Sequence, residues 1–539
     1  MLTGLRRVAD RIGPRWGSAL ALGAVLAISA AVLFANVRTQ WFIYDEFDYL
    51  TPPEGSGWLG WLVTPHNEHT IVFTKLWFSI LYQAIGLHGY ALYAVPMLVS
   101  HLAAGVAVYL LLRAVVRSRA IAIAAVAPLM LMAAGAGTLT WAGQFQYTAA
   151  TAAGLWLLWF VLVRASDRPS TWVWAVALTV FGTFSGSAFM PIGIAAGFAL
   201  LSLRRYLLGV VVIAIPSIWF VVVRRLWDIP SYNSAHDLGQ VLRDGPEFVF
   251  ALLQKAVDDS IPVSGSFTPA VLVLATVGVL AFFSVPSSTP ERPRARRVQL
   301  FLLTALTLSL AITLIGRLSR ELADSASGGY SYFILIVAIP VFIATIARFC
   351  SDTRLSTSII VLLLLGWAAA GAAALTTTSA GLASWKSGNA TLLSGAAYLA
   401  DEGFEVIGDR PPSPALGPTV SWSDLTAMAE RGAITASPPS TQTADQLSLD
   451  LQWSAAKGAP STEGLDCATI AAHDSLALPG DGFSLVTTSA GSDSQLTLSY
   501  TSSGAVRALN LPATGLTVDS VSGRDALLTA GDLPLTVCR

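Results

Sequence analysis

Apolar runs of about the length that crosses a bilayer recur through most of this sequence. They fall near 18–37, 89–112, 119–136, 146–163, 172–185, 187–203, 206–223, 269–285, 299–316, 330–347 and 356–375. A hydrocarbon core about 30 Å thick needs roughly 20 helical residues to span it. The runs therefore predict an all-α polytopic membrane domain of about eleven transmembrane helices. Those at 172–185 and 187–203 are short and read equally as a broken pair or a re-entrant element. Composition agrees, since 54% of the residues are hydrophobic and only 12% charged. An ordinary soluble domain carries about twice that charged share. The run beginning at Ser18 is too long for a signal-peptide core and reads as a retained first helix.

Arginine placement orients the bundle. With the N-terminus in the cytoplasm, the inner loops hold Arg113, Arg117 and Arg119, then Arg164 and Arg168, and then Arg204 and Arg205. Further along they hold Arg292, Arg294, Arg296 and Arg297, followed by Arg348 and Arg354. Short inner loops rich in arginine are the positive-inside pattern. Arg224 and Arg225 are the exception and fall on the outer side. The outer segments are 38–88, 224–268 and 317–329, and an odd number of spans puts the C-terminus outside. Ile71–Gly86 is apolar but carries Lys75, which predicts an amphipathic helix lying in the interface. Counting it as a twelfth span would invert every later arginine loop.

From about Thr376 the composition turns to Ser, Thr, Gly, Asp and Pro. The domains are therefore expected at 1–375, in the membrane, and 376–539, an extracytoplasmic soluble domain. Helix-forming stretches at Asn389–Glu402 and Ser421–Arg431 come first. Alternating runs follow at Gln446–Trp453, Gly482–Thr488, Gln495–Thr501, Ala505–Leu511 and Gly515–Val521. Short alternating runs separated by turn residues predict a β-rich, sandwich-like fold. Cys467 and Cys538 lie in this domain and can pair as a disulfide if it is outside the cytoplasm.

The acids narrow the chemistry. Between Glu68 and Asp228 the sole acid is Asp167, in a predicted inner loop. Ion-coupled transporters keep ionisable groups near mid-membrane, so their absence there counts against a proton-coupled pump. The carboxylates gather instead just after the first span, in Tyr44-Asp45-Glu46-Phe47-Asp48-Tyr49-Leu50. Such a segment is either a solvated loop capped by interfacial rings or a carboxylate held near the headgroups as a general base. Pro65-His66-Asn67-Glu68-His69 follows in the same loop. Its histidines, three apart, could share one helix face and hold a divalent metal. Alternatively, Glu68 simply lies near a helix N-terminus. Gln144 and Gln146, in Trp141-Ala142-Gly143-Gln144-Phe145-Gln146-Tyr147, suit hydrogen bonds to a sugar. Arg317, Arg320 and Tyr330 flank another outer loop, where an arginine fork suits phosphate.

A first span followed at once by an outer Asp45-Glu46 loop, an interfacial helix and an outer soluble tail resembles the polytopic glycosyltransferases of the GT-C superfamily. The resemblance implies a sugar donor on a polyprenyl phosphate and a glycan, lipid or protein acceptor, with membrane lipids around and no nucleic acid. It implies that Asp45 deprotonates the acceptor hydroxyl, which attacks the anomeric carbon with inversion. Glu46 would orient the acceptor or share the base role, with Asp48 as an additional acid and Glu68 as a further substrate-binding acid. Arg317 or Arg320 would stabilise the leaving phosphate, with a metal on His66 and His69 as a substitute. The competing expectations are a non-enzymatic flippase of lipid-linked glycans and an envelope-assembly protein.

Overall fold

The computed structural model describes residues 14–53, 55–164, 169–227, 237–260, 292–318, 329–349, 353–457, 466–478, 480–488, 494–512, 516–522 and 524–538. The chain divides into two compact units. The first comprises Met1–Gln40, Pro52–Ser79 and Gly89–Ala383, and the second Trp41–Thr51, Ile80–His88 and Ser384–Arg539.

The first unit is helical. Among the described residues, seven helices are long and apolar enough to cross a membrane: Trp16–Val37, Tyr90–Arg113, Ala142–Arg164, Tyr206–Val223, Pro293–Arg317, Gly329–Ala347 and Arg354–Asp401. The chain is thus a multi-pass membrane protein. The run expected at 119–136 is not one straight helix but a pair, Arg119–Met130 and Ala133–Leu139, bent by 42°. The expected short spans are the helices Pro169–Ser185 and Phe189–Ser202, of 17 and 14 residues. The second falls below the length that makes a span by itself, and the first lies at its lower edge. The run at 269–285 lies outside the described residues.

Polar groups inside this unit are tied between helices, as the lack of water demands. Gln299 donates to the Val341 carbonyl and to Thr345. Gln40 donates to the Asn36 carbonyl and to Ser379. His101 bonds Tyr332 and the Met130 carbonyl. Small residues allow close helix approach: a Cβ on Gly197 would lie 3.1 Å from the Gly209 carbonyl oxygen.

The expected interfacial segment is the helix Val72–Ile85. Its Lys75 is buried and donates to the Trp61 and Thr64 carbonyls at the end of helix Trp58–Val63. A cation satisfying terminal carbonyls opposes the negative end of the helix dipole.

The second unit ends in an antiparallel sandwich. Its strands are β1 (Trp453–Lys457), β2 (Cys467–Ile470), β3 (Ser475–Leu478), β4 (Asp481–Thr488) and β5 (Ser494–Tyr500). They continue with β6 (Ala505–Leu511), β7 (Leu516–Val521), β8 (Ala526–Ala530) and β9 (Leu535–Cys538). One sheet runs β1-β7-β4-β9-β2 and the other β3-β8-β5-β6. Val486, Val518 and Val537 from the first meet Leu496, Leu509 and Leu528 from the second in one buried core. Cys467 and Cys538 pair in register across β2 and β9 and form a disulfide.

One expected strand is a helix. Gln446–Trp453 alternates like a strand, yet Thr441–Leu451 is helical and only Trp453 begins a strand. Pro438 and Pro439 precede Ser440, whose side chain accepts the Thr443 N–H. That is a helix start, and it outweighs the alternation of Leu447, Leu449 and Leu451. The expected helix at Asn389–Glu402 is the last part of the 48-residue helix Arg354–Asp401.

Candidate functional site

In the membrane unit, a polar cluster forms around Arg317, the last residue of the helix Arg292–Arg317. Arg317 is 8% exposed. Its guanidinium pairs with Glu68 at 3.3 Å. It also donates to the Tyr330 hydroxyl and lies 5.3 Å from that ring's centre. Tyr330 packs edge-on against Tyr147 at 6.2 Å, and His69 meets Tyr147 at 6.0 Å. His69 Nδ1 shares a hydrogen bond of 2.9 Å with the Ser187 hydroxyl.

Local sequence explains how these groups meet. His66 and His69 exchange backbone hydrogen bonds, each N–H donating to the other's carbonyl. Asn67, at φ 50°, makes the tight corner, a conformation asparagine tolerates well. The expected helical ligand face for His66 and His69 is therefore absent, because the segment is a closed turn. That turn carries Glu68 to Arg317 and His69 to Ser187. Ser187 follows Gly186, where a Cβ would lie 2.9 Å from the Gln146 carbonyl oxygen. Only glycine lets the break between helices Pro169–Ser185 and Phe189–Ser202 pass so close. Gln146 is buried beneath it.

Gln144 is also buried, and among the described residues its side-chain oxygen has no hydrogen-bond partner. A Cβ on Gly329 would lie 3.4 Å from that oxygen and 3.2 Å from the Tyr147 ring. A small cleft of about 40 Å³ opens beside Glu68, lined in part by Thr70, Ser187, Met190 and Trp219. The Trp219 indole donates to the Thr70 hydroxyl. Arg320 lies outside the described residues. Sequence reasoning named Glu68, Arg317 and Tyr330 but not Ser187, whose only signal is its place after the glycine at a helix break.

The acidic turn belongs to the other unit. Tyr44–Tyr49 is a single stretch of 3₁₀ helix. Asp45 and Asp48 are half-buried, while Glu46 is fully buried. The Glu46 carboxylate accepts the Ile43 N–H at 3.1 Å, closing a capping arrangement on its own turn. Tyr44 has φ 48°, in the left-handed region. Its N–H donates to the Leu416 carbonyl, and its ring lies 5.7 Å from Trp385. Burial raises the Tyr44 hydroxyl pKa above its ordinary range, keeping that ring neutral beside the acids. Asn389 donates to the Phe42 carbonyl. Lys386, 1% exposed, feels the Glu46 charge.

No family model and no curated protein matches the chain. Among solved structures it is similar to ArnT from Cupriavidus metallidurans bound to undecaprenyl phosphate, at 15% identity and a TM-score of 0.40 over 80% of this chain and 92% of that one. The same protein in the apo state gives 15% identity and a TM-score of 0.43 over 80% and 91%. The oligosaccharyltransferase of Archaeoglobus fulgidus in the apo form gives 12% identity and a TM-score of 0.37 over 81% and 69%.

Proposed function

We propose that the chain is a membrane glycosyltransferase of the GT-C type, moving a sugar from a polyprenyl-phosphate donor to an envelope glycan, lipid or protein acceptor on the outer face. The observation that carries this reading is the buried Arg317 with Glu68 and Tyr330 around it. An arginine that only touched headgroups would extend its charge to the interface and stay exposed. A buried ionisable group in a membrane unit is costly and marks a functional site by default. Its planar fork matches phosphate oxygens, and Gln144 adds a buried acceptor for a hydroxyl.

In the proposed reaction Asp45 takes the proton of the acceptor hydroxyl. The hydroxyl oxygen bonds to the anomeric carbon as the bond from that carbon to the phosphate oxygen breaks. The electron pair leaves on the lipid phosphate, whose charge Arg317 balances, and the single displacement inverts the anomeric centre. The C-terminal sandwich lies outside the cytoplasm in this reading, where its disulfide is stable.

The test follows transfer of labelled sugar from polyprenyl phosphate by purified protein in lipid nanodiscs. Asp45→Asn is expected to lower transfer by about 100-fold or more, with membrane insertion and thermal stability retained. Consumption of the lipid-linked sugar at the normal rate by this variant would refute the assignment. Lipid translocation without any transfer would favour the flippase.

A further inference from the structure

Of the three acids in the turn, Glu46 is the one sealed from solvent, at 0% exposure. A buried carboxylate is strongly unfavourable unless it is hydrogen-bonded and paired. Glu46 accepts the Ile43 N–H, and the buried Lys386, from the same helix as the Trp385 and Asn389 that contact residues 44 and 42, offers the opposite charge. Lys386 does not act alone. Trp385, Lys386 and Asn389 come from one short stretch of the helix Arg354–Asp401, and Lys386 and Asn389 stand three residues apart on adjacent positions of its surface. Asn389 holds the Phe42 carbonyl, just before the turn, and Trp385 packs against Tyr44. Tyr44, the residue at the second of these holds, sits in the left-handed region at φ 48°, which a non-glycine residue rarely adopts. Strain of this kind persists only where the surroundings over-determine it, and it gathers at functional sites.

We propose that Lys386 is a positioning residue that, by pairing with the buried Glu46, holds the acidic turn in the strained form that presents Asp45. The proposal rests on the reading of Asp45 as the base. It makes Glu46 a structural partner of the turn, outside the proton transfer.

Lys386→Met leaves the Glu46 carboxylate buried without its counter-charge. Lys386→Met combined with Glu46→Gln removes both charges and keeps an acceptor for the Ile43 N–H. Two readouts are taken on the full chain in nanodiscs: hydrogen–deuterium exchange of the amides of residues 43–49, and sugar transfer per folded molecule. The single variant is expected to exchange faster in this turn, and its kcat to fall about 10- to 100-fold, the scale set by a displaced catalytic group. The KM for the lipid donor should stay within about twofold, because the donor's binding groups are unchanged. The double variant should recover both exchange and kcat. If the single variant does not fold, recovery of folding in the double variant is the same result. Unchanged exchange in Lys386→Met, or a double variant as impaired as the single, overturns the proposal. If the wild-type chain transfers no sugar, the reading of Asp45 fails, while the exchange data still decide whether Lys386 and Glu46 hold the turn.

Discussion

At the scale of single residues, the Arg317–Glu68 pair is where a substitution should be felt most. Both side chains are mostly buried, at 10% and 19% exposed. Removing one partner of a buried pair costs about 3–5 kcal/mol, because the other charge is left uncompensated. Arg317→Gln is therefore expected to lower the melting temperature of the purified protein clearly, and Arg317→Gln with Glu68→Gln to recover most of that loss. Arg317→Lys keeps the charge but loses the fork. It should retain stability better than activity, a split that thermal melts and transfer assays on one preparation would show.

Asp445 gives a pH prediction. Burial alone would raise its pKa, but hydrogen bonds from Arg524 and Ser503, with the Arg524 charge, bring it below the ordinary carboxylate range. A depressed folded-state pKa contributes stability that is complete above the ordinary carboxylate range and is lost as pH falls through the folded value. Arg524 is half exposed, so the effect is of order 1 kcal/mol. Acid melts should show the wild-type sandwich weakening in this window, and Asp445→Asn should flatten that dependence. At this scale the sequence showed which charges were unusual without showing their partners. Arg317 and Glu68 were both visible, but their pairing over 249 positions was not. Lys386, one of only four lysines in the chain, lies between the last apolar run and the helix-forming stretch that begins at Asn389, where the sequence offered no signal for it.

At the scale of elements, the bend between Arg119–Met130 and Ala133–Leu139 has a counterpart in Gly371. A Cβ there would lie 2.4 Å from the Leu131 carbonyl oxygen, at the break itself. Gly371→Val is expected to cost about 1–3 kcal/mol through overpacking, read as a lowered melting temperature in detergent. A neutral outcome would show that the helix Arg354–Asp401 can move away from the bend. Hydropathy located the helices because lipid contact writes composition directly into sequence. It did not locate this bend, since a broken apolar helix and a straight one have the same composition. The helix Thr441–Leu451 was missed for a related reason. Leu447, Leu449 and Leu451 are all buried although they alternate in a helix, and the deciding signal was the cap at Ser440. The acidic turn was visible as a cluster, whereas its 3₁₀ form and buried middle acid depend on groups more than 300 residues away.

At the scale of the whole molecule, the membrane character was legible from length and apolarity alone, and the sandwich from its alternating runs. The sheet order was not, because pairing across long separations leaves little local trace. The disulfide joins residues 71 apart. Closing a loop of that size stabilises a fold by about 4 kcal/mol in the chain-entropy account. Cys467→Ala with Cys538→Ala, or reduction, is expected to lower the melting temperature of the sandwich while the helical signal of the membrane unit persists. Circular dichroism at separate wavelengths distinguishes the two.

The strand order has a further consequence. Among the described residues, β2 touches its sheet only through β9, which lies between β2 and β4. Every strand from β3 to β8 must therefore be made before β2 gains a neighbour. Until then its backbone donors and acceptors are an open edge of the kind that recruits other chains. Assembly of this domain is a race between arrival of the final strand and capture of a waiting one.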